Sequence, residues 1–157
     1  MQVIVLLLTI PVCSCTLGLY GTTQSIGVIG SLKCKGGPAS GVKMELEDAE
    51  ISQDHIDLYQ QNRFGIQSKA AAVTDTDGTF MLTGNAKKWS KSDANMYQYS
   101  ILNIYHKCNY KGRCYRKNSI YIPKEYVTLG KKALKYYNIG SLELSMIPKG
   151  ETISCSR

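Results

Sequence analysis

The stretch SIGVIGSLKCKGGPASGVKMELE, Ser25 to Glu47, decides the fold class. In its first nine residues Ile26, Val28, Gly30 and Leu32 fall on one side of an extended chain, with Ser25, Gly27 and Ser31 on the other. In its last seven, Val42, Met44 and Leu46 alternate with Lys43, Glu45 and Glu47, the period-two pattern of a strand with one dry and one wet face. Between them, GGPASG is turn material: Pro38 fixes its own φ, and glycine accepts φ above zero. Two strands joined by a turn is the expectation.

The same grammar continues outward. KAAAVTDTDGTFML reads as a hairpin, with Val73 on the incoming strand, Asp77-Gly78 at the turn and Phe80 and Leu82 on the outgoing strand. YSILNIYHKC (Tyr99 to Cys108) and NSIYIP (Asn118 to Pro123) are rich in β-branched and aromatic residues and flank a tight loop bracketed by Cys108 and Cys114. YYNIGSLELSM, Tyr136 to Met146, supplies a last clear strand with a bulge expected at Gly140. Glu45 to Arg63 reads as a strand tail followed by a long loop, and Lys87 to Asn95 allows one short helix. Seven short strands parted by Gly, Pro and Asp turns point to an all-β antiparallel sandwich.

The opening residues have a different character. Within residues 1–18 an apolar run from Val3 to Ile10 precedes Pro11 and small residues around Ser14 and Gly18, the pattern of a secretory signal. Residues 19–157 then form one domain of about 139 residues, large enough to bury a core. The run is shorter than the roughly 18–20 apolar residues a spanning helix requires. If Cys13 and Cys15 leave with the signal, Cys34, Cys108, Cys114 and Cys155 remain, an even number that in a secreted domain reads as two disulfides. Joining Cys108 to Cys114 and Cys34 to Cys155 is worth about 2.4 and 4.9 kcal/mol of loop entropy. Joining Cys34 to Cys108 and Cys114 to Cys155 is worth about 4.5 and 3.9, so entropy leaves the pairing open.

Nothing in the residues assembles a catalytic or metal site. A disulfide-bonded sulfur is no nucleophile, and His106 reads as a structural histidine at a strand end. Asp75-x-Asp77-Gly78 resembles the start of a calcium loop, but its twelfth position is Ala86, where a bidentate Glu is required. Asp54, His55 and Asp57 read as a solvated loop. No phosphate-binding glycine loop or nucleophile elbow occurs, and no catalytic residue, metal or cofactor is assigned.

Charge does speak of partners. The chain carries a net charge of +7, and residues 87–135 hold twelve Lys or Arg against Asp93 and Glu125, whereas Glu45 to Asp57 holds six carboxylates and no base. Lys107, Lys111, Arg113, Arg116 and Lys117 interleave with Tyr105, Tyr110 and Tyr115 around the bracketed loop, a candidate surface for anionic lipid or sulfated glycan. Secretion removes nucleic acid from the set of partners. Lysines bordering strands also serve as ordinary solvated surface.

Taken in order, IGVIGSLKCKGGPASGVKMELED, TDTDGTF, LNIYHKCN, CYRKNSIYIPKEYV and YYNIGSLEL resemble the nematode transthyretin-like family over nearly the whole mature chain. The resemblance implies a prealbumin-like antiparallel β-sandwich of about seven to eight strands, secretion and two disulfides. It does not carry over the chemistry of the related 5-hydroxyisourate hydrolases, which use several histidines and a terminal Tyr-Arg-Gly-Ser. Here the corresponding end reads Ile153-Ser154-Cys155-Ser156-Arg157, and the histidines are His55 and His106. The expected function is that of a secreted, non-enzymatic binding or adaptor protein acting on an extracellular or cell-surface partner. A carrier of a small apolar ligand, held within the sandwich or between subunits, is the alternative.

Overall fold

The computed structural model describes residues 22–52, 67–88 and 96–155. The signal segment, the Asp54–Asp57 loop and residues 89–95 of the expected short helix lie outside the described residues; Lys87 and Lys88 belong to a strand. In chain order the strands are β1 (Thr22–Cys34), β2 (Gly37–Pro38), β3 (Lys43–Ser52), β4 (Gln67–Val73), β5 (Thr79–Lys88), β6 (Met96–His106), β7 (Tyr115–Ile122), β8 (Thr128–Leu129), β9 (Tyr136–Glu143) and β10 (Thr152–Ser154). A single 3-10 turn spans Lys124–Tyr126. Seven of these strands are long, in keeping with the sequence reading, and the rest are two- or three-residue additions.

Two sheets form the layers. In the first, β1 is central, pairing with β5 and β2 along one edge and with β8 and β9 along the other. The second runs β10-β7-β6-β3-β4. All ladders are antiparallel except β1 with β9, which run parallel. The alternation noted in the sequence sets the facing: Ile26, Val28 and Leu32 of β1, Phe80 and Leu82 of β5, Met44 and Leu46 of β3 and Leu102 and Ile104 of β6 are all buried in one core. Each such apolar side chain contributes on the order of 1.5–3 kcal/mol by leaving water.

The Asp77-Gly78 turn forms, but the hairpin expected around it does not. β4 pairs with β3 in one sheet and β5 pairs with β1 in the other, so Thr74–Gly78 is a corner that carries the chain between layers. Local turn chemistry is intact: Gly78 has φ of +78°, and the Thr79 hydroxyl donates to the carboxylates of Asp75 and Asp77. The corner is fixed by longer-range bonds. Leu32 N–H donates to the Gly78 carbonyl at 2.8 Å, and the buried Thr74 hydroxyl donates to the Ala39 carbonyl at 2.5 Å while accepting from Val42 N–H at 3.0 Å. These bonds tie β4–β5 to the β1–β3 turn.

Gly140 is the bulge the sequence suggested. The β1–β9 register shifts there, Gly140 has φ of +70°, and the Asn138 side chain accepts its N–H at 2.8 Å. The strand tail read within Glu45 to Arg63 extends to Ser52, paired with β6 throughout.

Candidate binding surface at the disulfide-braced end

β6 and β7 converge on residues 107–114, and both ends of that loop are covalently held. Cys108 bonds Cys34 at the end of β1, joining the two sheets, and Cys114 bonds Cys155 just beyond β10. Of the two pairings the loop entropy left open, this is the one adopted. Inside the loop, Tyr110 N–H donates to the Lys107 carbonyl at 3.1 Å and Asn109 takes a left-handed φ of 54°. The Tyr110 hydroxyl rests on Gly112, where any Cβ would overlap it. The loop is thus packed upon itself as well as stapled.

The five basic residues singled out in the sequence divide into three environments. Lys111 and Arg113 are exposed at the tip, and neither makes an ion pair among the described residues. Lys107 is also exposed; its ammonium donates to the Arg113 carbonyl at 3.2 Å and sits 5.0 Å from the centre of the Tyr115 ring. Lys117 belongs to the outer face of the second sheet, where it and Lys43 lie 5.7 and 5.8 Å from the Tyr105 ring. Burial, followed by the charges of Glu45 and Glu47, holds the Tyr105 phenol well above its ordinary range.

Arg116 does not belong to this surface. It is 3 % exposed, and all five of its N–H donors are engaged inside the protein. Nε and Nη2 clasp Glu151 at 2.5 and 2.9 Å, Nη1 reaches the carbonyls of Cys108 and Leu144, and Nη2 reaches that of Met146. The reason is positional: Arg116 sits on the inward-facing side of β7, where strand alternation sends residues 116, 118, 120 and 122 toward the core. Its role is to fasten the segment after β9 to the β6–β7 hairpin.

His106, directly across from Arg116 in the β6–β7 ladder, is 2 % exposed. Its Nε2 lies 3.9 Å from a Glu151 carboxylate oxygen, and neither ring nitrogen has a hydrogen-bond partner. Burial, followed by the Arg116 charge and opposed by Glu151, pushes its pKa down. Among the described residues no cluster of three metal-ligating side chains occurs. Asp75 and Asp77 serve the corner turn, and hydrogen bonds from Asp75 and then Thr79 hold the Asp77 carboxyl at about 2.

The surface also includes two residues that sequence reasoning missed. Lys33 and Lys35 flank Cys34, and the Cys34–Cys108 bond, with Cα atoms 5.8 Å apart, brings both to the same end as Lys107. Their signal was present in the sequence as Lys-Cys-Lys, but it acquires meaning only once the pairing is known. Glu143, an acid near Lys35, accepts N–H bonds from Lys35 and Gly36 at 2.9 Å, and from Ser145 at the same distance. Those bonds, Ser145's foremost, hold its carboxyl at about 2.

Comparison with known proteins agrees with this architecture. The family model described as "TTR-52: Transthyretin-like family" matches residues 29–123. Transthyretin-like protein 5 of Caenorhabditis elegans is 35% identical over 138 residues, covering 87% of this chain and 88% of the relative. Transthyretin-like proteins 2 and 33 of the same organism are 32% and 31% identical, covering 89% and 85% of this chain and 88% and 82% of their own lengths. With its two-layer sandwich in the prealbumin-like form that the family implies, the chain belongs to the transthyretin-like family.

Proposed function

We propose that this protein is a secreted, non-enzymatic recognition module that binds polyanionic surfaces outside the cell, anionic lipid headgroups or sulfated glycans, through its disulfide-braced end. The observation that carries the reading is the presentation of Lys107, Lys111 and Arg113 on a loop whose two ends are covalently anchored to different parts of the sandwich. Anchoring lowers the ordering entropy lost on binding, and exposed cations lacking a carboxylate partner among the described residues raise the local potential. Lys33 and Lys35 extend the patch across the sheet boundary. Secretion is supported by the two disulfides, which persist in oxidising compartments. The non-enzymatic reading is supported by the state of Cys108 and His106: the Cys108 sulfur is bonded to Cys34, and His106 is buried beside Arg116 and Glu151.

The test compares removal of the exposed cations at the basic end with removal of the same number elsewhere, in a Lys124→Ser/Lys131→Ser/Lys132→Ser/Lys135→Ser variant that is expected to keep more of the binding. Wild type and a Lys33→Ser/Lys35→Ser/Lys111→Ser/Arg113→Ser variant are compared on immobilised heparin and on vesicles with and without anionic lipid, across a salt titration. The basic-end variant is expected to elute at clearly lower salt and to lose vesicle binding because the exposed cations are gone, while Arg116 and the fold are untouched. Unchanged retention on both supports refutes the assignment, and retention on only one identifies the ligand class.

A further inference from the structure

A concave surface lies on the outer face of the first sheet, bordered by a segment that Thr128 holds in place. The Thr128 hydroxyl lies 3.0 Å from the Ser25 hydroxyl and 3.2 Å from the Ser25 carbonyl, in the β8–β1 pairing. It also meets the Lys132 carbonyl at 3.3 Å and the Leu134 N–H at 3.4 Å. Gly130 N–H donates to the Thr23 carbonyl at 2.8 Å. Residues 130–134 are therefore folded back against the sheet. Tyr136 follows, opening β9 in register with Gly27, and its ring lies on that glycine so closely that a Cβ there would be 2.6 Å from a ring carbon. Gly27 pairs on its other side with Thr83 of β5.

Between the Tyr136 ring, the 131–133 loop and Thr83–Asn85 lies a cleft of about 230 Å³. Its lining residues have a distinct chemistry: Lys131 and Lys132, Thr83, Asn85 and the aromatic Tyr136, beside Gly84 and Ala133, and no Asp or Glu of the described residues lines it. The volume is below the roughly 300–1,000 Å³ of drug-sized sites, which leaves room for a single small ring.

We infer that this cleft binds an anionic pyranose, one sugar ring bearing a carboxylate or a sulfate. Each lining group has a counterpart on such a ligand. The C–H face of a pyranose stacks on an aromatic side chain with a polar tip such as Tyr136. The Asn85 amide offers both donor and acceptor to vicinal hydroxyls, as does the Thr83 hydroxyl. The two lysines attract the acid group, with no Asp or Glu of the described residues in the lining to compete. Purely apolar ligands leave these polar groups unmet. The site is separate from the basic end: Gly27 and Cys34 are seven residues apart on β1, about 23 Å at the usual rise per residue.

The experiment is an amide NMR titration of the disulfide-intact protein with D-glucuronate, D-glucose 6-sulfate and D-glucose. Saturable shifts confined to residues 83–85 and 131–136 are expected with the two anions, with D-glucose at least about tenfold weaker, since two exposed charge contacts together amount to about that factor. Lys131→Gln/Lys132→Gln is expected to weaken both anions by about tenfold and, being a change of exposed residues, to leave the rest of the spectrum in place. Tyr136→Leu is expected to weaken all three sugars. Lys111→Ser/Arg113→Ser is expected to bind as wild type even if it loses heparin, which keeps this site's test apart from that of the basic end. Absence of saturable shifts, equal binding of D-glucose, wild-type affinity in the double-glutamine variant, or loss of the shifts in the end-loop variant each overturns the inference.

Discussion

Replacing Glu151 by Gln removes one charge, keeps the side-chain shape and leaves the Arg116 guanidinium facing an amide. Both partners are almost wholly buried, at 4 % and 6 % side-chain exposure, so the stranded cation has little access to water. Breaking a buried pair from one side costs about 3–5 kcal/mol, against about 1 kcal/mol or less for an exposed pair. Arg116 also donates to the carbonyls of Cys108, Leu144 and Met146, so it cannot swing out to solvent without leaving those acceptors unmet. For a domain of this size the loss corresponds to a fall in Tm of about 10–20 °C. The assay is urea unfolding at neutral pH without reductant, with thermal unfolding beside it, on wild type, Glu151→Gln, Arg116→Met and the double variant. The cycle is expected to return a coupling of at least about 2 kcal/mol. A shift below about 1 kcal/mol for Glu151→Gln, or one abolished by high salt, would refute the reasoning, because it would mean that the pair is solvated.

Other outcomes follow from the same geometry. With the His106 pKa depressed in the folded state, its full contribution is present above about pH 6.5, and stability declines as the pH falls from there toward the folded value, because the unfolded chain takes up the proton first. His106→Leu is expected to flatten that slope in stability measured from pH 7.5 to 5; an unchanged slope places the pH sensitivity elsewhere. Gly78→Ala puts a Cβ against the Leu32 carbonyl at a φ of +78°, and is expected to cost more than about 2 kcal/mol in chemical denaturation, whereas Gly36→Ala, with φ of +80° and open space around it, is expected to cost only the backbone preference of about 1–2 kcal/mol. Removing the Cys114–Cys155 bond by a double Cys→Ala change is expected to cost up to about 4 kcal/mol by loop entropy, read as a lower unfolding midpoint; no change would mean that the β10–β7 ladder and the Arg116–Glu151 pair hold the tail without it.

What was legible in the sequence was whatever depends on near neighbours. Alternation at Ile26–Leu32 and Val42–Glu47 marked β1 and β3 and their buried faces, and Gly140 marked its bulge. The Asp77-Gly78 turn was legible as a turn, but whether its flanking strands pair depends on β1 and β3, which lie far away in sequence and claim β5 and β4. Arg116 shows the same limit at the site. Within Cys-Tyr-Arg-Lys it reads as one more surface cation, since nothing local distinguishes it from Lys117, and its partner Glu151 is 35 residues away. Lys33 and Lys35 joined the basic end only through a disulfide that entropy did not select. Long-range pairing, covalent or ionic, is the part that a reading by neighbours misses.

The central place of β1 has a consequence for how the chain comes into being. Its partner β9 begins more than a hundred residues later, and the two run side by side in the same direction, a pairing that no short reversal of the chain can deliver. During vectorial synthesis β1 must wait, with one flank open, until β9 has left the ribosome more than a hundred residues later. Maturation is thus governed by a late closure of distant segments, the regime in which sandwich proteins fold slowly and benefit from chaperone cover.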